Sequence, residues 1–559
     1  MTYNAPTDEL SFLLNDVFNV EEILSLDSYK DFSGDLINAI LEEGGKFASE
    51  KLSPINKSGD EDGAKISDGV VKTSPGFSQA YKEFIDNGWN SAPFPTQYGG
   101  QGLPNMLTIA LFEFFSGANM AFSLCPLLTH GAAELLINHA SDQQKEKYLT
   151  NLVSGKWTAT MCLTEPQAGS DLGAINTKAI ADGDHYKISG QKIFITYGEH
   201  DFTENIIHLV LARTQNAPAG SGGISLFIVP KILDDNKRND VKAISLEHKL
   251  GIHGSPTAVM SFGDNNECVG YLVGQENMGL KYMFTMMNSA RLSVGVEGIA
   301  IAENSLQKAA AYASERKQFG SSIDQYPDIY ETISKMRSKI STMRALSIYI
   351  AKLMDISEHH DDTEEREKSK KYIGLLIPVI KSYGSQMGFE ISSDAMQIFG
   401  GTGYVEETGI AQNLRDSRIA MIYEGTNGIQ AIDLIKRKIL MDEGKTCFAF
   451  IDEIQNFYDH NLNKIDLLNS QSKQLLNNSL SIIKDITKNI LEDKSDSCLK
   501  IASIYLELFA YISSSYMAVM ILSQENAKQH HKQDCQYYIS NILPNILAID
   551  YIIQQKLKS

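Results

Sequence analysis

The chain has few cysteines and no arrangement among them. Its six, Cys125, Cys162, Cys268, Cys447, Cys498 and Cys535, are scattered over 559 residues without a CxxC pair. That spacing indicates neither a zinc site nor a disulfide framework, and it points to a reducing, cytoplasmic setting. The N-terminus, MTYNAPTDELSF, lacks a basic region followed by an apolar run, so no secretory leader is expected. No uncharged apolar stretch reaches the length of a bilayer span, so membrane insertion is not expected. Positive charge is also short: 50 Lys and Arg against 69 Asp and Glu give a net charge of −19. That balance argues against broad binding of nucleic acid or anionic membrane, while leaving room for a local basic pocket.

What is present is apolar residue in quantity, 43% of the chain, spread over a length that suits three or four units. The texture changes along the chain. Residues 1–157 carry helical periodicity, as in YKDFSGDLINAILEEGGKFASEKL, with AYKEFIDNGWNSAPFPTQYGGQGLP expected as a loop. Residues 158–276 break into short strand-like runs such as TATMCL, HYKISGQKIFI and GISLFIVP, with turn signals between them. Residues 277–445 return to long apolar-faced helices. Residues 446–559 add further helical segments, an appendage resembling a four-helix unit. The charged run Ser357–Lys371 is expected to be a solvated turn or helix end.

Five segments bear on chemistry. In MCLTEPQAGSD, Thr164, Gly169 and Ser170 sit on a turn whose hydroxyls and free N–H groups suit a polar ring or a phosphate. An ordinary β-turn accounts for the same residues. In KIFITYG, alternation sets Phe194 and Thr196 on one strand face, fit for a flat heterocycle or for plain strand packing. In ERKQFG, an Arg closing a long helix suits a pyrophosphate or the helix dipole. In QIFGGTGY, three glycines within four residues let backbone approach a ligand, or simply stop a helix. In IYEGTNGIQ, Glu424 follows Ile422 and Tyr423; a desolvated carboxylate there acquires a raised pKa and suits a general base. Gly444-Lys445-Thr446 imitates the end of a P-loop, but Ile439 stands where the leading glycine belongs.

Together, in this order and spacing, the five segments resemble the acyl-CoA dehydrogenase family over roughly residues 30–445. EHKLGIHGSPT and MFTMMNSARLSVG, with the appendage, resemble its long members that carry a C-terminal helical extension. The resemblance implies a mainly α fold with a central β domain. An N-terminal helical domain, a β-barrel-like middle domain and a C-terminal four-helix bundle precede the extra helical domain.

It also implies FAD as cofactor and an acyl-CoA as substrate, in fatty-acid or thioether-acid catabolism. Leu163 and Thr164 would line the isoalloxazine, and Gly169 belongs to the same turn. Ser170 would serve FAD or the CoA moiety. Phe194, Ile195 and Thr196 would form the strand behind the flavin, Phe194 standing where the family usually has Trp. Arg316 and Phe319 would reach FAD across a homodimer interface, and Gln397, Gly400 and Gly401 would surround its adenosine half. Asn288, Arg291 and Gly425 would seat the acyl-CoA. Thr426 would be a further flavin contact, while Gly428 replaces a common Gln. Glu424 takes the position of the catalytic base. Some members carry the base instead at the position of Ala290, which cannot serve. Electron-transferring flavoprotein is the implied acceptor. An acyl-CoA oxidase that uses O2 and a non-catalytic, nucleic-acid-associated flavoprotein are the alternatives of the same fold.

Overall fold

The computed structural model describes residues 2–493 and 496–558. Eight helices lead: α1 (Thr7–Phe12), α2 (Val20–Leu24), α3 (Gly34–Phe47), α4 (Asn56–Asp62), α5 (Phe77–Asp86), α6 (Asn105–Ala118), α7 (Met120–His139) and α8 (Asp142–Val153). Local chemistry sets their ends. The Asn119 side chain caps α7 by accepting from Phe122 N. Ser141 and Gln144 form a reciprocal capping box on α8. Two expectations for this region change. AYKEFID belongs to α5, and the chain loosens only at Asn87, where the Gly and Pro residues begin. A small hairpin, β1 (Lys65–Ser67) and β2 (Val70–Lys72), turns at Asp68-Gly69, both with positive φ.

The middle region is a sheet of β3 (Trp157–Cys162), β4 (Lys178–Asp182), β5 (His185–Thr196), β6 (Asn205–Thr214), β7 (Ser225–Pro230), β8 (Val241–Leu246), β9 (Thr257–Phe262) and β10 (Val269–Leu272). Its order is β10-β7-β6-β4-β5-β9-β8, with β3 parallel to β6. Because β10 also pairs with β5, the sheet closes into a barrel-like ring. β6 is buried along almost its whole length, as its continuous apolar run NIIHLVLA requires.

Three long helices follow: α9 (Gly279–Glu315), α10 (Pro327–His359) and α11 (Thr363–Ile398). The charged run between the last two is a tight turn, with Asp362 capping α11. α9 and α11 touch backbone to backbone. A Cβ on Gly298 would stand 2.1 Å from the Gly384 oxygen, and one on Gly295 2.7 Å from the Ile380 oxygen. Only glycine permits that approach. The fourth bundle element is broken into α12 (Ile410–Ser417), a 3-10 turn Arg418–Met421 and α13 (Asn427–Asp433), and Glu424 lies in the break.

The extension comprises α14 (Lys445–Asn461), α15 (Ser470–Asp493), α16 (Ala502–Leu522), α17 (Gln529–Tyr537) and α18 (Asn545–Lys558). α16 is its buried axis and packs on α10, α11 and α13. Two segments, Met120–His139 and Ser497–Leu522, are by length and composition able to cross a bilayer, but an 83% share of the apolar window in each is buried in the fold. They are core helices, and Glu134 and Glu507 interrupt them.

The extension is clasped to the N-terminus. The Glu9 carboxylate is bonded by His530 Nε2 at 2.7 Å and His531 Nε2 at 2.9 Å, and Phe12 stacks on His531. Burial works upward on Glu9, but hydrogen bonding and charge from His531 prevail and hold its pKa at about 2. A depressed folded-state pKa contributes stability above the ordinary carboxylate range, lost as pH falls through about 2. Thermal unfolding of Glu9→Gln is therefore expected to show a smaller loss of stability between pH 4.5 and pH 2 than the parent protein.

Candidate active site

Glu424 sits on a strained turn. Its φ is 56° and that of Gly425 is 85°. A left-handed non-glycine residue costs about 1–3 kcal/mol and persists only where its surroundings impose it. Here they do. Arg291 Nε (3.3 Å) and Gln430 Nε2 (3.1 Å) donate to the Glu424 carbonyl, and Lys381 Nζ donates to the Gly425 carbonyl at 2.7 Å. A Cβ on Gly425 would meet Gln430 Nε2 at 2.9 Å, so the turn also requires glycine. Thr426 caps α13 by accepting from Ile429 N.

Two sets of polar groups are left over. Among the described residues, no hydrogen bond holds the Glu424 carboxylate, and the backbone N–H groups of Glu424, Gly425 and Thr426 donate to nothing. Burial lifts the Glu424 pKa to about 7, with Arg291 and Lys381 drawing it the other way. The site thus presents a poised carboxylate beside free donors in one turn, a pattern suited to taking a proton while stabilising an oxyanion.

Three buried residues stand behind it. Lys381, on α11, also reaches Asn427 Oδ1 at 3.2 Å, and burial brings its pKa down to about 7. Glu297, on α9, accepts the Tyr423 hydroxyl. The glycine crossing of α9 and α11 is what sets Lys381 and Glu297 close to one turn. Arg291 is itself buried and reaches Asn288 Oδ1 at 3.4 Å; in this chain it holds the loop that carries Glu424. Ala290, next to it, is buried and offers no base.

The segment MCLTEPQAGSD leaves the end of β3 and is built on a hidden ion pair. Lys192 (0% exposed) donates to Glu165 (4% exposed) at 2.8 Å and to the Leu163 carbonyl at 2.9 Å. Glu165 also accepts from Asn176 N, Thr177 N and the Thr177 hydroxyl. Burial opposes its charge, but Lys192 and these bonds prevail and hold its pKa at about 2. The pair fixes Leu163, which is buried, and Thr164, whose carbonyl accepts from Ile193 N. Gly169 and Ser170 are exposed beyond it.

On β5 the pairing register shifts between Lys192 and Ile195, and Phe194 takes φ 60°. This bulge turns the Phe194 ring outward, 58% exposed, while Ile195 faces the core and Thr196 is half-buried. The bulge that aims the ring was not legible in the alternating pattern.

The remaining segments form a second group. Arg316 and Phe319 are exposed on a hairpin after α9, Phe319 at 96% and with φ 49°. Gln397, Gly400 and Gly401 are exposed at the end of α11. Tyr312 ties the two places together by stacking on Phe399 at 4.2 Å. Along α9, Arg291 and Tyr312 are separated by about 30 Å at 1.5 Å per residue. Toward one end of α9 lie Arg291, bonded to the Glu424 carbonyl, and Leu163, in one apolar cluster with Met283 and Met286; toward the other lie Arg316 and Phe319, with Gln397 and Gly400 beside Phe399.

Known proteins combine these parts. Residues 37–156, 160–265 and 277–440 match the N-terminal, middle and C-terminal domains of acyl-CoA dehydrogenase. A 3-methylmercaptopropionyl-CoA dehydrogenase of Ruegeria pomeroyi is 45% identical over 469 residues, covering 81% of this chain and 79% of its own. The chain belongs to the acyl-CoA dehydrogenase family. A butyryl-CoA dehydrogenase of Syntrophomonas wolfei is 34% identical over 474 residues, covering 80% and 78%. In fold, an acyl-CoA dehydrogenase of Bacillus anthracis complexed with FAD matches 98% of this chain and 92% of its own, with a TM-score of 0.75 at 22% identity. That span includes the extension.

Acyl-CoA dehydrogenases are oxidoreductases acting on CH–CH bonds, and the family uses FAD. The residues present here fit that cofactor. The hydroxyls of Thr164, Ser170 and Thr196 have no hydrogen-bond partner among the described residues. Two aromatic rings, Phe194 and Phe319, are exposed on left-handed backbone. A Cβ on Gly169, Gly400 or Gly401 would meet nothing within 4 Å, so their backbone lies open to a ligand.

Motif reasoning missed Glu165, Lys192, Glu297, Lys381, Tyr423 and Gln430 as supports of the site. A lysine opening the apolar run KIFIT was a signal for a buried charge. Gln430 acts on the turn six residues before it; the rest act through contacts distant in sequence, Glu297 with Tyr423 across 126 residues.

Proposed function

We propose that this chain oxidises the Cα–Cβ bond of an acyl-CoA thioester to a trans-2-enoyl-CoA, with Glu424 taking the α-proton. The reading is carried by one observation: an unbonded carboxylate raised to about 7 on a strained turn whose own N–H groups are free. FAD, when bound, supplies the acceptor for the β-hydride. Leu163, Thr164, Gly169, Ser170, Phe194, Ile195, Thr196 and Thr426 would hold its flavin side. Arg316, Phe319, Gln397, Gly400 and Gly401 would hold the pyrophosphate and adenosine side.

The chain's own work is proton transfer and charge stabilisation. The Glu424 carboxylate removes the α-proton, and the Glu424 N–H donates to the thioester oxygen as negative charge develops there. Asn288, Arg291, Ser170 and Gly425 would seat the thioester and CoA. Because the base must be ionised, the rate is expected to rise with pH through about 7 and level off above it.

We take the assembly to be a homodimer whose partner supplies the hairpin after α9, where Phe319 stands 96% exposed. We take electron-transferring flavoprotein as the acceptor and the cytoplasm as the compartment. Residues 1–157, 158–276, 277–445 and 446–559 serve as the four units of the design. The likeness to a 3-methylmercaptopropionyl-CoA dehydrogenase favours a short thioether acyl group, with fatty acyl groups as the comparison.

Anaerobic titration of the FAD-loaded protein with thioether and straight-chain acyl-CoAs tests the reading. At least one should bleach the visible flavin band, and aerobic turnover should release little hydrogen peroxide. Absence of bleaching by every ligand would remove the dehydrogenase reading, and peroxide formed in step with turnover would make the protein an oxidase.

A further inference from the structure

Glu297 is a carboxyl that the proposed chemistry does not use. It lies in the middle of α9, fully buried, between Gly295 and Gly298, the two glycines that touch α11. One oxygen accepts the Tyr423 hydroxyl; the other has no hydrogen-bond partner. A fully desolvated carboxyl with an orphaned oxygen is expensive in a helix core. The titratable groups that face it are Tyr423 and Glu424 on the turn and Lys381 on α11. Its bonded partner immediately precedes the strained Glu424, so the bond fixes the entry to the turn as Arg291, Gln430 and Lys381 fix its exit.

We infer that Glu297 is a positioning residue for the base: its carboxyl anchors Tyr423, and through Tyr423 the strained turn that aims the Glu424 carboxylate. The inference rests on Glu424 being the base. Burial is the main cause that lifts Glu297 to about 8; Tyr423 opposes the lift and the Glu424 charge adds to it. Near neutral pH, Glu297 is thus the protonated member of a carboxyl pair and Glu424 the ionised one. Raising the pH through about 8 ionises Glu297 and sets a second negative charge behind the base.

The anchor and the charge separate by mutation. In Glu297→Gln the amide oxygen still accepts from Tyr423, while the ionisation is gone. In Tyr423→Phe and Glu297→Leu the anchor is gone. The rate of anaerobic flavin bleaching and the acyl-CoA Kd are measured for each on the FAD-loaded protein, from pH 6 to pH 9.5. Loss of the anchor is expected to slow bleaching about 10- to 100-fold with Kd changed less than threefold, as for a misaimed reacting group. Glu297→Gln is expected to recover to within about threefold of the parent rate, with the inflection near pH 8 removed and the one near 7 kept.

Tyr423→Phe deletes one oxygen only, so it reads the anchor even where Glu297→Leu does not fold. Parent-like bleaching in Tyr423→Phe would overturn the inference, as would a loss in Glu297→Gln equal to that in Tyr423→Phe. Failure of the underlying assignment looks different: Glu424→Gln would then bleach at the parent rate, whatever position 297 does.

Discussion

Glu424→Gln is expected to bind acyl-CoA normally and to lose roughly 10²- to 10⁴-fold in the rate of flavin bleaching, the range a positioned general base supplies. The variant is nearly isosteric. No hydrogen bond to the Glu424 side chain is lost, because none holds it, and the bonds from Arg291 and Gln430 go to its carbonyl oxygen. The left-handed turn and its free N–H groups should therefore persist, and the thioester should still dock. What disappears is the proton acceptor raised to about 7 by burial. Ala290 cannot replace it, and Glu297 is turned toward Tyr423 with one oxygen in that bond. Binding measured by ligand-induced change of the flavin spectrum, beside the bleaching rate, separates lost chemistry from lost affinity.

Lys192→Met is expected to cost about 3–5 kcal/mol of stability and to release FAD. Removing one partner of a buried ion pair leaves the other charge uncompensated. Here the stranded group is Glu165, which gathers the backbone of Asn176 and Thr177 and, through Lys192, the Leu163 carbonyl. The turn carrying Thr164 and Ser170 would lose the support that holds it at the mouth of the sheet. Adding Glu165→Gln should recover part of the loss, since the neutral amide can still accept hydrogen bonds without a buried charge. Thermal unfolding and retention of FAD on desalting report both effects. A Lys192→Met protein within 1 kcal/mol of the parent would show the pair to be dispensable.

How much of this was legible in the residues follows from what local pattern encodes. Periods of 3.6 and 2 separate the helical, β and helical regions, because each element hides one face from water. The end of α11 was visible for another reason, its three glycines within four residues. Asp68-Gly69 and the start of the loop at Asn87 were not, since a three-residue strand and the last turn of a helix carry too little periodicity to register. The motifs singled out Glu424 and Phe194 as candidates, yet not the bulge that aims Phe194, which comes from a register shift against β9. The supports were least legible of all. Lys192 with Glu165, and Glu297 with Tyr423, are pairings between distant segments, and nothing in either segment alone announces its partner.

The most direct test of the Glu424 assignment is rapid anaerobic mixing of the FAD-loaded protein with an α-deuterated acyl-CoA and its unlabelled form across pH 5.5–9, in parent and Glu424→Gln. The assignment predicts a bleaching rate in the parent that rises with pH about a midpoint near 7 and slows on α-deuteration, and a Glu424→Gln protein that binds but bleaches orders of magnitude more slowly. Equal bleaching rates in the two proteins would contradict it.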